Sequence, residues 1–218
     1  PYKLTIIPPL FLESNLSFDL LYIAGLAGIA VFAVSGALAA AEKELDILGF
    51  ILFATVTGIG GGTVRDLILG VEVAWVANPI DLKTCIGAAI ITYFTAKQII
   101  RIQRLLVWMD AMGLALFSVL GTAKAYHLGA DPLVAIAMGM LTPTFGSVIR
   151  DILLDRAPVL LEPEIYVSAA ITGSVSYLVF ISILDEPNLS TILAIACAFL
   201  VRGAAIIFDL RLPKFKHH

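Results

Sequence analysis

Long stretches without a charged residue constrain the fold of this chain more than any other feature. Residues 20–41, 47–64, 132–149 and 165–184 each contain no Asp, Glu, Lys or Arg. Each stretch is close to the ~20 apolar residues that a helix needs to cross a bilayer. Only 14% of the whole chain is charged, against about 25% in soluble domains. The sequence therefore predicts an all-α membrane protein, and it excludes a disordered chain, a disulfide scaffold and a nucleic-acid binder.

Three further apolar segments bring the predicted number of membrane spans to seven. They cover residues 82–102, 106–126 and 189–208, and they tolerate isolated charges such as Arg202. The loops between all seven spans are short. We therefore expect a single transmembrane domain over residues 1–218, without a cleaved signal and with His217-His218 as a tag remnant.

The distribution of basic residues predicts the orientation. Seven spans place the two termini on opposite sides of the membrane. Loops on the C-terminal side contain eight Lys or Arg residues, and loops on the N-terminal side contain three. Because cytoplasmic loops are enriched in Lys and Arg, we expect a cytoplasmic C-terminus.

The chain contains an internal repeat. Residues 28–69 align without a gap with residues 113–154, and 14 of the 42 aligned residues are identical. Each repeat holds three spans, so the second copy enters the membrane from the opposite side, as in inverted-topology transporters. The predicted bounds are 19–103 for repeat one, 104–186 for repeat two and 187–210 for the seventh helix.

Spans two and five carry helix-weakening residues at equivalent places. Four glycines lie within residues 58–62, and Pro143 lies in span five. Glycine and proline both disfavour a helix interior, so both spans should be broken or kinked. Freed carbonyls are tolerated only beside protein or a water-filled cavity, which predicts a hydrated path. The candidate pore residues are Thr57, Gly58, Gly60, Gly61, Gly62, Thr63, Thr142, Pro143, Thr144, Gly146 and Ser147.

Small residues in membrane helices have a second interpretation, which is close helix packing. We favour packing for five glycines outside the predicted breaks. They are Gly25, Gly28, Gly36, Gly113 and Gly121.

An Arg-Asp pair follows each predicted break. An arginine at membrane depth is costly unless paired or hydrated, and it is a functional candidate for that reason. Arg65-Asp66 should lie near the outer end and Arg150-Asp151 near the inner end, as gates of one path. The alternative is that each pair only anchors a helix end. Neighbouring residues do not face each other on a helix, so we predict pairing across the repeats, of Arg65 with Asp131 and Arg150 with Asp46.

The remaining polar residues give weaker signals. Cys85 and Cys197 lie in apolar segments, where small buried side chains are expected rather than a disulfide or a metal site. No Ser-His or His-Glu constellation indicates an enzyme, and no cofactor is expected. Three further cations are candidates for lipid binding or gating, namely Lys43, Lys124 and Arg202.

Three motifs together resemble the prokaryotic trimeric intracellular cation (TRIC) channels. They are Ser-Gly-Ala-Leu-Ala-Ala at 35–40, Gly-Gly-Gly-Thr-Val-Arg-Asp at 60–66 and Gly-Ser-Val-Ile-Arg-Asp at 146–151. The resemblance implies a homotrimer in a bacterial or archaeal inner membrane. Each protomer would hold its own pore, lined by kinked helices two and five, for potassium and also sodium.

The second repeat departs from this pattern, because Phe145 and Ser147 replace the outer two glycines of the triplet. This departure bears on whether the two helices open symmetrically. A secondary transporter of a small solute such as glycine is the alternative function. It would use the same helix breaks as its binding site.

Overall fold

The described residues of the computed structural model are 15–98, 102–158 and 165–211, and their regular secondary structure is helical. Seven long helices are numbered α1 to α7, and a one-turn helix, Ala74–Ala77, lies between α2 and α3. The predicted tag remnant lies outside the described residues. The long helices are α1 Asn15–Glu42, α2 Ile47–Leu69, α3 Ile80–Thr95, α4 Ile102–His127, α5 Pro132–Leu153, α6 Val167–Leu184 and α7 Pro187–Ile207.

Six of the seven long helices, all except α3, have the length and apolarity of membrane spans. The α-helical part of α3 has only 16 residues, but a 3₁₀ turn, Ala96–Gln98, prolongs it. At about 1.5 Å per α-helical residue and about 2 Å per 3₁₀ residue, the combined length is about 30 Å. That length matches the hydrocarbon core of a bilayer, so α3 is long enough to cross as the third span.

Equivalent aspartates begin the second helix of each repeat. Asp46 precedes α2, and its carboxylate accepts a hydrogen bond of 2.8 Å from the backbone N–H of Gly49. Asp131 precedes α5 and accepts one of 2.8 Å from the N–H of Leu133. Both are N-caps, which satisfy backbone donors that the first helical turn leaves unpaired.

The two repeats pack against each other through equivalent aromatic and glycine contacts. Phe32 of α1 stacks on Phe117 of α4, with ring centroids 5.4 Å apart. Gly28 faces the ring of Phe117, while Gly113 faces the ring of Phe32. These contacts exchange when one repeat is superposed on the other. The packing interpretation is confirmed for both glycines, while Gly25 has no neighbour within 4 Å among the described residues of one protomer.

Within each repeat, a second glycine brings the first and second helices together. A Cβ atom on Gly36 of α1 would lie 2.6 Å from Oγ1 of Thr57, and one on Gly121 of α4 would lie 2.7 Å from Oγ1 of Thr142. The two contacts are again related by the 85-residue repeat. Close packing is thus confirmed for Gly36 and Gly121, and the two three-helix repeats share one internal arrangement.

The seventh helix is added to the side of the second repeat. It packs against α4 and α6. Buried Ala194 and Ala198 of α7 and buried Tyr177 of α6 lie in this region. The two repeats also meet where α2 packs against α5.

Candidate functional site at the contact of α2 and α5

Glycine allows the backbones of α2 and α5 to touch. A Cβ atom on Gly146 would lie 2.7 Å from the carbonyl oxygen of Thr57. A Cβ atom on Gly61 would collide with the carbonyl oxygen of Thr142. Superposing one repeat on the other turns each of these contacts into the other. The helices therefore cross on the pseudo-two-fold axis that relates the two repeats.

Both helices are continuous at this crossing. Residues 57–66 and 142–151 are helical throughout, including Pro143. A complete break of either helix is therefore not seen, and the kinked alternative stays a prediction. The physical reason is that a bilayer offers backbone groups no water, which favours a helix that satisfies them internally. Side-chain hydroxyls add to this, since Thr63 donates to the carbonyl of Ile59 at 2.8 Å and Thr144 donates to that of Met140 at 2.7 Å.

The other glycines of the α2 run face two different environments. Gly58 packs on α3, since a Cβ atom there would lie 2.8 Å from Sγ of Cys85. Gly60 and Gly62 have room beside them, because their nearest neighbours, Ile149 and the guanidinium of Arg65, are 3.8 Å from a built Cβ. A side chain at Gly60 or Gly62 would therefore make ordinary van der Waals contact, so these two sides of the crossing are packed less tightly than the Gly61 side.

Two of the predicted pore hydroxyls, those of Thr142 and Ser147, are buried beside the crossing and bond to the helices themselves. Thr142 donates to the carbonyl of Met138 at 2.6 Å. Ser147 donates to the carbonyl of Thr144 at 3.0 Å and accepts a hydrogen bond of 3.1 Å from the hydroxyl of Tyr166. A hydroxyl oxygen that donates its hydrogen keeps lone pairs for another partner. Thr142 thus still presents an oxygen that a cation could bind.

One ion-pair cluster, called the outer cluster here, lies at the C-terminal end of α2. Arg65 bonds through Nε to Oδ1 of Asp66 at 2.9 Å. Nζ of Lys124 reaches the same oxygen at 2.8 Å, and the N–H of Ala74 donates to Oδ2 at 3.2 Å. Asp66 is fully buried. One carboxylate therefore serves two cations and also holds the one-turn helix.

The other cluster, called the inner cluster here, lies at the C-terminal end of α5. Arg150 bonds through Nε to Oδ1 of Asp151 at 2.9 Å. Its Nη1 donates to Oδ1 of Asp110 and to Oγ of Ser35, both at 2.8 Å. Arg150 is almost fully buried. One cation is therefore held by two carboxylates and a hydroxyl.

The predicted pairing across the repeats is wrong. Arg65 and Arg150 each bond the aspartate that follows them in the chain. Asp131 and Asp46, their expected partners, are the helix caps described above. The spacing argument fails because a long arginine side chain can bend along the helix surface until Nε reaches the neighbouring carboxylate.

The two clusters lie far apart along α4. Asp110 of the inner cluster and Lys124 of the outer cluster both belong to this helix. Fourteen residues at about 1.5 Å each separate them by about 21 Å. The clusters therefore flank the crossing of α2 and α5 from opposite ends, as the repeat predicts.

A cavity of about 370 Å³ adjoins the inner cluster. The guanidinium of Arg202 lines it and lies 5.2 Å from the ring centroid of Tyr166. Arg156 also lines it and pairs with Glu42 at 2.7 Å. Besides three apolar residues, the lining consists of Glu42, Gln103, Asp110, Arg150, Asp151, Arg156 and Arg202.

Sequence reasoning missed several members of this site. Asp110 is not among the candidate residues of the sequence analysis, and Ser35 enters it only as part of a motif. A carboxylate inside an apolar span is itself a signal of function, and it could have identified Asp110. Tyr166 and Trp75, whose Nε1 donates to Oγ1 of Thr63 at 2.9 Å, gave no comparable signal.

Comparison with known families agrees with this geometry. The model of a family described as "Glycine transporter" matches residues 22–97 and again residues 107–182, two matches displaced by 85 residues. The UPF0126 inner membrane protein YadS of Escherichia coli K12 is 36% identical over 90% of this chain and 96% of its own length. A UPF0126 membrane protein of Vibrio cholerae is 35% identical over 93% of this chain and 86% of its own length. The chain belongs to this family of integral membrane proteins.

Solved structures identify the fold. The TRIC trimeric intracellular cation channel orthologue from Rhodobacter sphaeroides has a TM-score of 0.84 and 42% identity, covering 87% of this chain and 98% of that one. A prokaryotic TRIC channel solved in 0.5 M KCl has a TM-score of 0.84 and 29% identity, covering 89% and 100%. The resemblance found in the sequence is confirmed, and so is the fold class, apart from the helix interruptions corrected above.

Proposed function

We propose that this protein is a potassium-permeable channel for monovalent cations, with one pore in each protomer beside the crossing of α2 and α5. The observation that carries the proposal is the symmetric contact of Gly61 with Thr142 and of Gly146 with Thr57. Packing is looser at Gly60 and Gly62 than at Gly61, and an ion-pair cluster lies at each end of the crossing. The solved neighbours, which are cation channels by name, support the same function.

The chemistry of the crossing suits an alkali cation. Hydroxyl and carbonyl oxygens can replace part of the hydration shell of such an ion. Both arginines are paired with carboxylates, which reduces the repulsion that an unpaired arginine would exert on a cation. We therefore assign the two clusters the role of gates, and Lys124 and Arg202 belong to the machinery that moves with them.

The assembly proposed is a homotrimer in a bacterial or archaeal inner membrane, with a cytoplasmic C-terminus and with lipids around it. The neighbour from R. sphaeroides is described as trimeric, and the relative from E. coli is described as an inner membrane protein. No catalytic activity, nucleic-acid partner or bound cofactor is part of this proposal. The only ions involved are permeating potassium and sodium.

Transport of a small amino acid such as glycine is the second candidate. The family description names glycine, and the cavity at the inner cluster carries charges of both signs. A zwitterion needs both signs, because its carboxylate and its ammonium group seek opposite partners. The charged lining residues are Glu42, Asp110 and Asp151 on the acidic side and Arg150, Arg156 and Arg202 on the basic side.

The test is ion flux into liposomes that contain the purified full chain. A potassium gradient is imposed, and the voltage-driven response is followed with and without glycine. A channel gives fast potassium flux that needs no glycine. Absence of potassium flux together with saturable glycine uptake would replace the channel by a transporter.

A matched pair of variants locates the path. Gly62→Val places a branched side chain in the space beside the crossing, and Gly87→Val places the same side chain at a position of α3 with no neighbour within 4 Å. We expect Gly62→Val to lower potassium flux at least about tenfold, while Gly87→Val leaves flux at the parent level. Equal flux in both variants would place the path elsewhere.

A further inference from the structure

We propose that a groove between α4 and α7, next to the basic start of α4, binds one anionic phospholipid with its head group at Arg104 and an acyl chain along Trp108. The groove has a volume of about 540 Å³. Gln103 and Val107 also line the cavity at the inner cluster, and the inference holds whichever ion or solute the protein carries. The described lining residues are Gln103, Arg104, Val107, Trp108, Ile206 and Ile207.

The rim of the groove suits an anion. Arg104 is exposed and forms no ion pair within the described part of the chain. No acidic side chain is among the lining residues, and the first turn of α4 holds none either. The amino end of a helix carries a partial positive charge. Two further basic residues, Lys97 and Arg101, precede Arg104 closely in the sequence.

The wall of the groove suits a hydrocarbon chain. Val107, Ile206 and Ile207 are apolar, and Ile207 is 66% exposed. The ring of Trp108 lies over Gly203, where a Cβ atom would be 3.6 Å from the indole. A glycine at this place leaves the ring room to lie along α7 and keeps the groove open.

The order of the polar and apolar parts matches the order of parts in a phospholipid. Trp108 follows Arg104 by one helical turn, so it lies about 6 Å further along α4 towards the membrane interior. Tryptophan is enriched at this depth, between head groups and acyl chains. A cation at the rim and an indole one turn below it therefore fit a phosphate group above an acyl chain.

A second copy of this chain is the competing occupant of the groove. Such a copy would need an acidic group opposite Arg104 and a continuous apolar face opposite Trp108. A phospholipid already places a phosphate at the membrane surface and an acyl chain below it, so it does not need a complementary protein surface. Anionic head groups also attract basic residues near the bilayer surface, and this charge complementarity decides for the lipid.

The experiment measures quenching of tryptophan fluorescence by brominated lipids. The chain contains two tryptophans, Trp75 and Trp108, so Trp75→Phe leaves Trp108 as the reporter. The full-length protein is placed in bilayers containing brominated phosphatidylglycerol or brominated phosphatidylcholine. We expect Trp108 to be quenched preferentially by phosphatidylglycerol, with an apparent affinity about fivefold tighter, which is the contribution of one basic residue near an anionic surface.

Substitutions separate the site from a general membrane effect. Arg104→Gln should abolish the preference for phosphatidylglycerol, while Lys83→Gln, which neutralises an exposed lysine on α3, should leave it intact. In the reverse reporter, Trp108→Phe, the fluorescence of Trp75 should not respond to Arg104→Gln. Equal quenching of Trp108 by both lipids, or quenching by neither because a second copy covers the groove, would overturn the proposal.

Discussion

The outer and inner clusters are built from the same repeat and yet differ in charge. In each, the Nε atom of an arginine bonds the following aspartate at 2.9 Å. In the outer cluster the third charged partner is a cation, Lys124, and in the inner cluster it is a carboxylate, Asp110. The outer carboxylate is shared between two cations, whereas the inner cation is shared between two carboxylates.

The difference arises from one helix. Lys124 and Asp110 both lie on α4, and their repeat-equivalent positions in α1 are Ala39 and Gly25. Neither equivalent residue can pair with an arginine. The repeat therefore supplies a symmetric crossing with an Arg-Asp pair at each end, and α4 alone makes the two ends unequal.

The largest expected effect comes from removing the shared carboxylate of the outer cluster. Asp66→Asn leaves the buried Arg65 and the partly exposed Lys124 without this carboxylate partner, and breaking a buried pair such as Arg65–Asp66 costs about 3–5 kcal/mol. Asp110→Asn should cost less, about 1–3 kcal/mol, since Arg150 keeps Asp151 and Ser35. Thermal unfolding of the purified protein in detergent measures both. Equal losses would show that the two clusters are energetically alike.

Two controls sharpen this comparison. Asp185→Asn removes an exposed carboxylate at the end of α6 that makes no ion pair within the described ranges, so it should change the unfolding temperature little. Adding Lys124→Met to Asp66→Asn should recover part of the lost stability, because Lys124 is then no longer a cation without a partner. If the double variant is less stable than Asp66→Asn, the shared-carboxylate account fails.

The next effect tests the symmetric part of the molecule. Gly61→Ala and Gly146→Ala each place a methyl group against a backbone carbonyl of the facing helix, and overpacking of this kind costs about 1–3 kcal/mol. Gly60→Ala is the matched control, since its nearest neighbour is 3.8 Å away and alanine favours a helix by about 1 kcal/mol. Thermal unfolding should show two destabilised variants and one unchanged or stabilised variant. If Gly61→Ala is as stable as the parent protein, the close contact of α2 and α5 at Gly61 is contradicted.

The smallest effect concerns single hydrogen bonds at the two ends. Trp75→Phe removes the N–H that bonds Thr63, and Tyr166→Phe removes the hydroxyl that bonds Ser147. Each should cost about 0.5–1.5 kcal/mol. Because Tyr166 is buried and Trp75 is partly exposed, the loss at Tyr166 should be the greater in chemical denaturation. A greater loss at Trp75 would reverse this order.

The sequence predicts the symmetric features well, because identical residues 85 positions apart must have equivalent surroundings. The repeat correctly predicts equivalent places for Gly61 and Gly146 and opposite ends for Arg65 and Arg150, although the sequence analysis assigns both glycines to helix breaks and not to a crossing. The partners of the arginines could not be predicted. They depend on how a flexible side chain bends and on how α4 packs, and neither property leaves a periodic pattern in the chain. Asp110 and Lys124 have uncharged residues, Gly25 and Ala39, at their repeat-equivalent positions.

Helix continuity at Pro143 and through residues 57–66 also escaped prediction. Intrinsic propensity disfavours glycine and proline in a helix. Propensity is measured in water, where an opened backbone can bond solvent. Inside a bilayer the alternative to a helix is an unsatisfied peptide group. The helices therefore continue through these residues, and the glycines allow close packing instead of a break.

Cysteine accessibility tests the central claim, a path beside the crossing of α2 and α5, most directly. Gly60→Cys and Gly62→Cys are made in a protein whose own Cys85 and Cys197 are replaced by alanine, with Gly87→Cys as the control on α3. We predict that a charged, water-soluble thiol reagent modifies both pore cysteines and blocks potassium flux, while flux through the Gly87→Cys protein is unaffected. Unmodified cysteines at 60 and 62, or modification that leaves flux unchanged, would contradict the account.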